Sequence, residues 1–267
     1  MILLARSSVF LTAEWRDLVM LNYSVDPAVL EKHVPAGTIL DTWNGTCYLS
    51  LVAFRFLRTR VRGIAFPWHR DFEEINLRFY VRREVDGEIR RGVVFIKEIV
   101  PRRAIALAAR VLYNENYVAM PTGHDITRAF RPDGEPSLSV AYTWRTGGVT
   151  NRAGVRASGE PSPLVTGSEE EYITEHYWGF AAQRNGSTLE YRVEHPRWRV
   201  WRADEASLDC DAALTLYGPE FARILEGPPV SALLAEGSPV TVHKGVRVPG
   251  TMTADAVRRD RLRQHEA

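Results

Sequence analysis

The sequence predicts an α+β domain, mainly antiparallel, in which one sheet closes on itself as a β-barrel and only three or four short helices are added. Three observations carry this expectation. Apolar residues recur with a period of two through most of the chain. The dipeptides Asn44-Gly45, Asp86-Gly87 and Asn185-Gly186 supply the positive φ angles that two-residue hairpin turns need between such runs. Helical patterns do not alternate regularly with strands, which argues against a parallel β-α-β layout. At 267 residues and 45% hydrophobic content the chain can build one large core, expected over 1–252, with 253–267 left as a charged tail lacking an apolar stripe.

Taken in order, Val19, Leu21, Tyr23 and Val25 share one face of a strand over 17–25. Asp26-Pro27 reads as an N-cap with proline at the first helical position, so a short helix should run through Leu30 and His33 until Pro35-Ala36-Gly37 stops it. Ile39 to Trp43 leads into the Asn44-Gly45 turn, and Tyr48 to Phe56 is the returning strand. Arg58 to Arg70, with arginines at 58, 60, 62 and 70 and no alternation, reads as a surface loop of the kind found at pocket mouths. From Glu73 to Val81 the alternation sets Ile75, Leu77, Phe79 and Val81 on one face and Glu74, Asn76, Arg78 and Tyr80 on the other. After Asp86-Gly87, the run Val93-Val94-Phe95-Ile96 is apolar on both sides, the mark of a buried strand. Pro101 suits a first helical turn, and Ala104 to Tyr113 is a helix ended by Asn114-Glu115-Asn116.

Beyond Met120 the pattern is all strand. Asp133-Gly134 marks a turn, after which Leu138, Val140, Tyr142 and Trp144 form a core face. Gly147 to Gly167 reads as irregular apart from a short strand near Val155. Ser168 and Glu171 make a capping box for a helix through Ile173 and Tyr177. Leu189, Tyr191, Val193 and His195 share a strand face closed by His195-Pro196-Arg197-Trp198. Asp204 to Cys210 is poorly patterned, Pro219 to Leu225 is a short helix, and Pro239 to Val248 is a last strand.

Composition excludes several classes. The 34 basic and 33 acidic residues are interleaved to a net charge of +1, so no overall field draws in nucleic acid or anionic lipid. Two cysteines, Cys47 and Cys210, make neither a disulfide framework nor a zinc knuckle, which fits a reduced, cytoplasmic setting. Met1-Ile2-Leu3-Leu4 is interrupted by Arg6 and lacks the h-region of a signal peptide, and no run reaches a membrane span. Neither a G-x-S-x-G elbow, a Walker A loop nor a G-x-G-x-x-G fingerprint is present, and the seven histidines show no metal-ligand spacing. No cofactor or metal is therefore expected.

Glu74-x-Asn76-x-Arg78-x-Tyr80-Val81, Gly92-Val93-x-Phe95, Ala109-Arg110-x-x-Tyr113 and Tyr117-x-Ala119-Met120 together resemble the YqjF-like domain of unknown function. Val25-Asp26-Pro27, Val34-Pro35-Ala36-Gly37, Asp41-x-Trp43-x-Gly45 and His195-Pro196-x-Trp198 extend the likeness over much of the chain. That family is related in fold to acetoacetate decarboxylase, so the resemblance implies an acetoacetate decarboxylase-like barrel. It implies no settled reaction. Acetoacetate decarboxylase works through a lysine Schiff base whose pKa a neighbouring cation lowers. The region that matches its lysine pair reads Tyr113-Asn114-Glu115-Asn116-Tyr117 here and holds no lysine, whereas Glu74 matches the acidic residue of the strand. The implied outcome is a pocket retained without its imine-forming nucleophile.

The polar face of the Glu73 to Val81 strand is the sharpest candidate site. In an open sheet it would meet water; in a closed barrel it would line a cavity with an acid, an amide, a guanidinium and a phenol. Glu74 is the candidate catalytic residue, and Asn76, Arg78, Tyr80, Arg110 and Tyr113 are candidate ligand-binding residues, the last two lying three apart on the adjacent helix. Arg78 or Arg110 would grip a carboxylate in a bidentate way. Of the three lysines, Lys97 alone has apolar neighbours on its predicted face, Val93, Phe95 and Ile99, against the plainer reading that its stem snorkels to solvent. His195 and Trp198 read as pocket wall, with the histidine bonded to backbone. The functions compatible with this pattern are a small-molecule binding module for a carbonyl- or carboxylate-bearing ligand, a lyase or hydrolase acting through Glu74, and a structural protein whose barrel is filled. The expected partners are a small-molecule ligand and further copies of the chain as a homo-oligomer, with neither nucleic acid nor membrane.

Overall fold

The alternating runs become strands longer than their apolar stretches, because cross-strand hydrogen bonds carry the backbone past the last buried side chain. The computed structural model describes residues 8–249. Met1 to Leu4 and the tail from Thr253 lie outside the described residues, as do the side chains of Ala108, Ala109, Val111, Leu112 and Tyr113.

In chain order β1 (Val9–Val25) is followed by α1 (Pro27–Glu31), β2 (Ile39–Leu40), β3 (Cys47–Val61), β4 (Phe72–Val85) and β5 (Glu88–Val100). Then come α2 (Arg103–Tyr113), β6 (Tyr117–Ala119), β7 (Thr122–Phe130), β8 (Pro136–Thr146), β9 (Val149–Ser158) and β10 (Ser162–Pro163). The chain continues with α3 (Glu169–Thr174), β11 (Trp178–Ala182), β12 (Thr188–Glu194), β13 (Arg199–Arg202) and β14 (Glu205–Asp209). It ends with α4 (Ala213–Tyr217), α5 (Pro219–Leu225), β15 (Ser231–His243) and β16 (Val246–Val248). The architecture is mostly β-sheet with a few short helices.

Two sheets form. The larger runs β10-β13-β15-β1-β3-β4-β5-β11-β12-β16, with β2 beside β4 and β6 beside β5. Although β12 and β15 lie far apart along that path, they pair with each other at Val193↔Val242 and Glu194↔Thr241. Most pairings are antiparallel; β5 pairs parallel with both β6 and β11. The smaller sheet runs β14-β9-β8-β7.

Alternation along the larger sheet feeds two main cores, with a smaller cluster of Ala181, Leu189, Tyr191 and Val193 on β11 and β12. Val19, Leu21, Ile75, Leu77, Phe79 and Val81 point to the side where Val140, Tyr142 and Trp144 of β8 pack, together with α4 and α5. Leu18, Met20, Val52, Phe54, Phe72 and Tyr80 point to the opposite side, against Tyr172, Ile173 and Trp198. Burial of β4 on both faces is what its sequence alone does not announce, since one face is polar.

Several elements differ from the sequence reading. β3 continues to Val61, so Arg58 and Arg60 are strand residues and only the rest of the arginine-rich segment is loop; Arg58 at φ 55° and the pairing slips against β1 mark bulges that let the strand bend. The Asn44-Gly45 turn forms with φ of 49° and 78° but closes only a Trp43↔Thr46 bridge, while β2 pairs with β4. The segment after Gly147 is not irregular: β9 pairs along its length with β8, its small residues Ala153, Gly154 and Ala157 having diluted the pattern. Asp204 to Cys210 contains the edge strand β14, α4 is an added helix, and the last strand begins at Ser231. Five helices are present among the described residues, with α1 and α3 ending at Glu31 and Thr174. Their caps form as expected at Asp26 and Ser168, each side chain accepting from a backbone N–H two or three residues on.

Candidate functional site

A cavity of about 460 Å³ opens on the second core, walled by Trp15, Phe56, Phe72, Phe95, Trp178 and Trp198. The size and the predominance of aromatic walls suit a small organic molecule. One part of its polar lining comes from β4, β5, the segment after α2, and β12: Glu74, Arg78, Glu98, Glu115, Tyr117 and Tyr191.

Glu74 is buried on β4, its Oε1 accepting from Asn76 Nδ2 and its Oε2 from the Tyr117 hydroxyl, both at 3.1 Å. Burial raises its pKa to about 7, while Asn76, Tyr117 and the Arg78 charge oppose the rise. Glu98, opposite Asn76 on β5, is 1% exposed and its Oε2 makes no hydrogen bond among the described residues. Burial first, then the charges of Glu115 and Glu74, push its pKa well above the ordinary carboxylate range. Glu115 accepts from the Tyr191 hydroxyl at 2.5 Å, and burial takes its pKa to about 8. Near neutral pH this floor therefore holds carboxylic acids as well as carboxylates, able to give or take a proton.

Arg78 stands further along β4, opposite Phe95, where its Nη2 donates to the Ile173 carbonyl at 3.3 Å and its Nε has no hydrogen-bond partner among the described residues. His176 lines the same wall; burial lowers its pKa to about 4 and keeps the ring neutral, with Nε2 3.9 Å from Asp41. His195 stacks on Trp198 at 4.3 Å between ring centroids and meets the Pro196 carbonyl through Nδ1 at 3.0 Å, so both serve as wall with the histidine tied to backbone.

Of the residues singled out from sequence, Glu74 and Arg78 share this cavity. Asn76 supports Glu74 from the same strand. Tyr80 is buried behind the wall, its hydroxyl 2.7 Å from Ser50 Oγ and its ring against Tyr172 and His176. Arg110 does not converge with them: it is exposed, and its Nε is bonded to the Tyr117 carbonyl. A residue near the end of α2, where the helix must satisfy the chain that follows, is drawn to that carbonyl. The side chain of Tyr113 lies outside the described residues. Lys97 does not share a face with Val93 and Phe95. The pairing slips between Leu77↔Lys97 and Arg78↔Phe95, so Lys97 joins Leu77 and Ile99 on the other side of the sheet and Glu98 turns to the cavity.

Glu98, Glu115, Tyr117, Tyr191 and His176 are lining residues that the sequence reading did not select. In the sequence Glu115 belongs to a polar helix stop and to the segment that matches the lysine pair, and a bulge leaves no mark in a hydrophobic pattern. Both placements depend on which strands pair. Among the described residues no cluster of histidine, cysteine and carboxylate groups is arranged to hold a metal ion, and no helix is long and apolar enough to cross a membrane.

Three comparisons bear on this arrangement. The family model DUF2071, described as an uncharacterized conserved protein, matches residues 12–239. The uncharacterized protein YqjF of Bacillus subtilis (strain 168) is 26% identical over 212 residues, covering 76% of this chain and 80% of its own. Among solved structures, acetoacetate decarboxylase from Legionella pneumophila superposes with a TM-score of 0.59 at 14% identity, over 91% of this chain and 88% of that one. The enduracididine biosynthesis enzyme MppR, complexed with pyruvate, gives a TM-score of 0.64 at 12% identity, over 92% and 93%. An acetoacetate decarboxylase-like enzyme from Sphingomonas wittichii RW1 gives 0.58 at 15%, over 91% and 94%. At these identities the structural likeness is one of fold.

Proposed function

The chain belongs to the DUF2071 family of uncharacterized conserved proteins, and from that premise we propose that it binds a small organic ligand bearing a carbonyl or carboxylate inside a sheet closed into a barrel. The observation that carries this reading is the presence of Glu74 and Arg78 on one cavity whose remaining wall is largely aromatic. Closure is supported by the pairing of β12 with β15, which joins the two halves of the strand path. A guanidinium with an unpartnered Nε is suited to a carboxylate or carbonyl oxygen, and the apolar wall removes the water that would weaken the contact. MppR, of the same fold, is complexed with pyruvate, a ligand of this class. A filled, purely structural barrel is disfavoured by a cavity of about 460 Å³. The protein acts in the cytoplasm, as a homo-oligomer, on this reading.

A second reading, an enzyme of lyase or hydrolase type, is favoured by one observation: a pKa of about 7 leaves Glu74 populated in both protonation states near neutrality, as a general acid–base needs. Its chemistry would not pass through an imine, since no lysine lines the cavity among the described residues. Titration with benzoate, followed by tryptophan fluorescence and calorimetry, tests the binding reading. Saturable binding weakened at least tenfold by Arg78→Met is expected. No binding, or binding indifferent to Arg78→Met, would overturn it.

A further inference from the structure

We propose that the floor of the cavity, where Glu74, Glu98 and Glu115 gather around Tyr117, is a receptor for a cationic nitrogen of the ligand, an ammonium or amidinium group. The proposal rests on the reading that a small organic molecule occupies this cavity, and it adds the group carried at the end away from Arg78.

Three carboxyl groups arrive from three places: Glu74 from β4, Glu98 from β5 and Glu115 from the segment after α2. Their contacts are unusual for buried acids. Glu74 receives only the neutral donors Asn76 and Tyr117, and Glu115 receives the neutral Tyr191 hydroxyl. None of the three is in an ion pair among the described residues, whereas Glu190, buried like Glu74 and Glu98, is held by both Arg83 and Arg90. Buried acids elsewhere in this fold are thus supplied with cations, and these are not. The second observation is Glu98 itself, 1% exposed, lining the cavity, with Oε2 unpartnered. A buried acceptor without a donor is costly, and a ligand N–H placed in the cavity would satisfy it.

Charge and shape agree. An anionic end would be repelled by any ionised member of the cluster, while an ammonium offers three donors and a charge that stabilises the ionised acids. The titratable and charged groups facing this cavity are Glu74 and Arg78 on β4, Glu98 on β5, Glu115 and Tyr117 after α2, and Tyr191 on β12; His69, His176 and His195 complete the wall, and burial lowers the pKa of His176 and His195. Arg78, at the other end of the polar lining, is the fixed positive charge, so the site is polarised along β4. That polarity selects a ligand with a nitrogen cation at one end and an oxygen-bearing group at the other.

The test uses the full chain and three probes of one shape: benzylammonium, benzyl alcohol and benzoate, titrated calorimetrically at pH 6 and pH 8 in buffers of different ionisation enthalpy. Benzylammonium is expected to bind at least tenfold more tightly than benzyl alcohol at pH 8, to bind more tightly at pH 8 than at pH 6, and to release protons on binding. Glu98→Gln and, separately, Glu115→Gln should each weaken it at least tenfold while leaving benzyl alcohol within twofold. Glutamine matches the protonated acid in shape, and the alcohol titration reports whether each variant keeps its cavity. Benzylammonium binding no better than the alcohol, tightening toward pH 6, or surviving both substitutions would overturn the proposal. If benzoate then still binds in an Arg78-dependent way, the ligand-binding reading stands without the cation receptor; if no probe binds, both fall.

Discussion

Burial of Glu74 sets the sign of a pH effect. Its pKa in the folded protein, about 7 against an ordinary 4.5, means that the native state holds this proton more tightly than the unfolded chain does. The stability so gained is complete below pH 4.5 and is lost as pH rises through 7. Glu74→Gln keeps the uncharged shape and removes the titration. Relative to the natural protein, the variant should match within a few degrees in Tm at pH 5 and be more stable at pH 8, by on the order of 3 kcal/mol. Ligand affinity should fall in the same variant, because the carboxyl serves the ligand more than the core. Thermal unfolding at the two pH values checks the first part; equal destabilisation at both would show that Glu74 is structural. Asp41 shows the opposite sign nearby: although burial raises its pKa, the hydrogen bonds of His176 and Arg91 and the Arg91 charge outweigh that and hold it below the ordinary value.

At the scale of elements, the β5 bulge decides which side chain reaches the cavity. Without the extra residue near Ile96, strict alternation would send Lys97 inward with Phe95, and Glu98 outward. The slip reverses both. Burial and the Arg110 charge hold the Lys97 amine below its ordinary range, yet the amine lies across the sheet from the cavity. We therefore expect no covalent adduct when the protein is incubated with pyruvate or acetoacetate, reduced with borohydride and examined by intact-mass measurement. An adduct that disappears in Lys97→Arg would show that the amine does reach the ligand. The hairpins at Asp86-Gly87 and Asn185-Gly186, the cap at Asp26 and the exact span of α5 were all legible, because each depends on residues adjacent in the chain. β9 and β14 were not, since their apolar content is slight and pairing across the small sheet holds them.

Across the whole molecule, one sheet separates two cores with different duties. The side that packs against β8 and β9 is filled mainly by apolar side chains; the other contains the cavity. Trp144 is fully buried on the closed side, so Trp144→Ala should cost about 3–5 kcal/mol and lower Tm by roughly 10 °C. Benzoate affinity should stay within twofold at a temperature where the variant is folded. A parallel loss of binding and stability would mean that the two sides are not independent.

The sequence by itself determined that this chain is built from hairpin-linked strands, that Glu74 and Arg78 share a strand face, and that the segment from Tyr113 to Tyr117 holds no lysine, because alternation, turn chemistry and residue identity are local. Only the tertiary structure decided that the polar face of β4 is buried rather than wet, that Arg110 is spent on the Tyr117 carbonyl, and that Glu98 and Glu115 join Glu74. Those outcomes depend on which strands pair, where a single residue is bulged out, and how far the sheet curls. Each is settled by contacts between residues distant in sequence, and a pattern read along one strand carries no record of them.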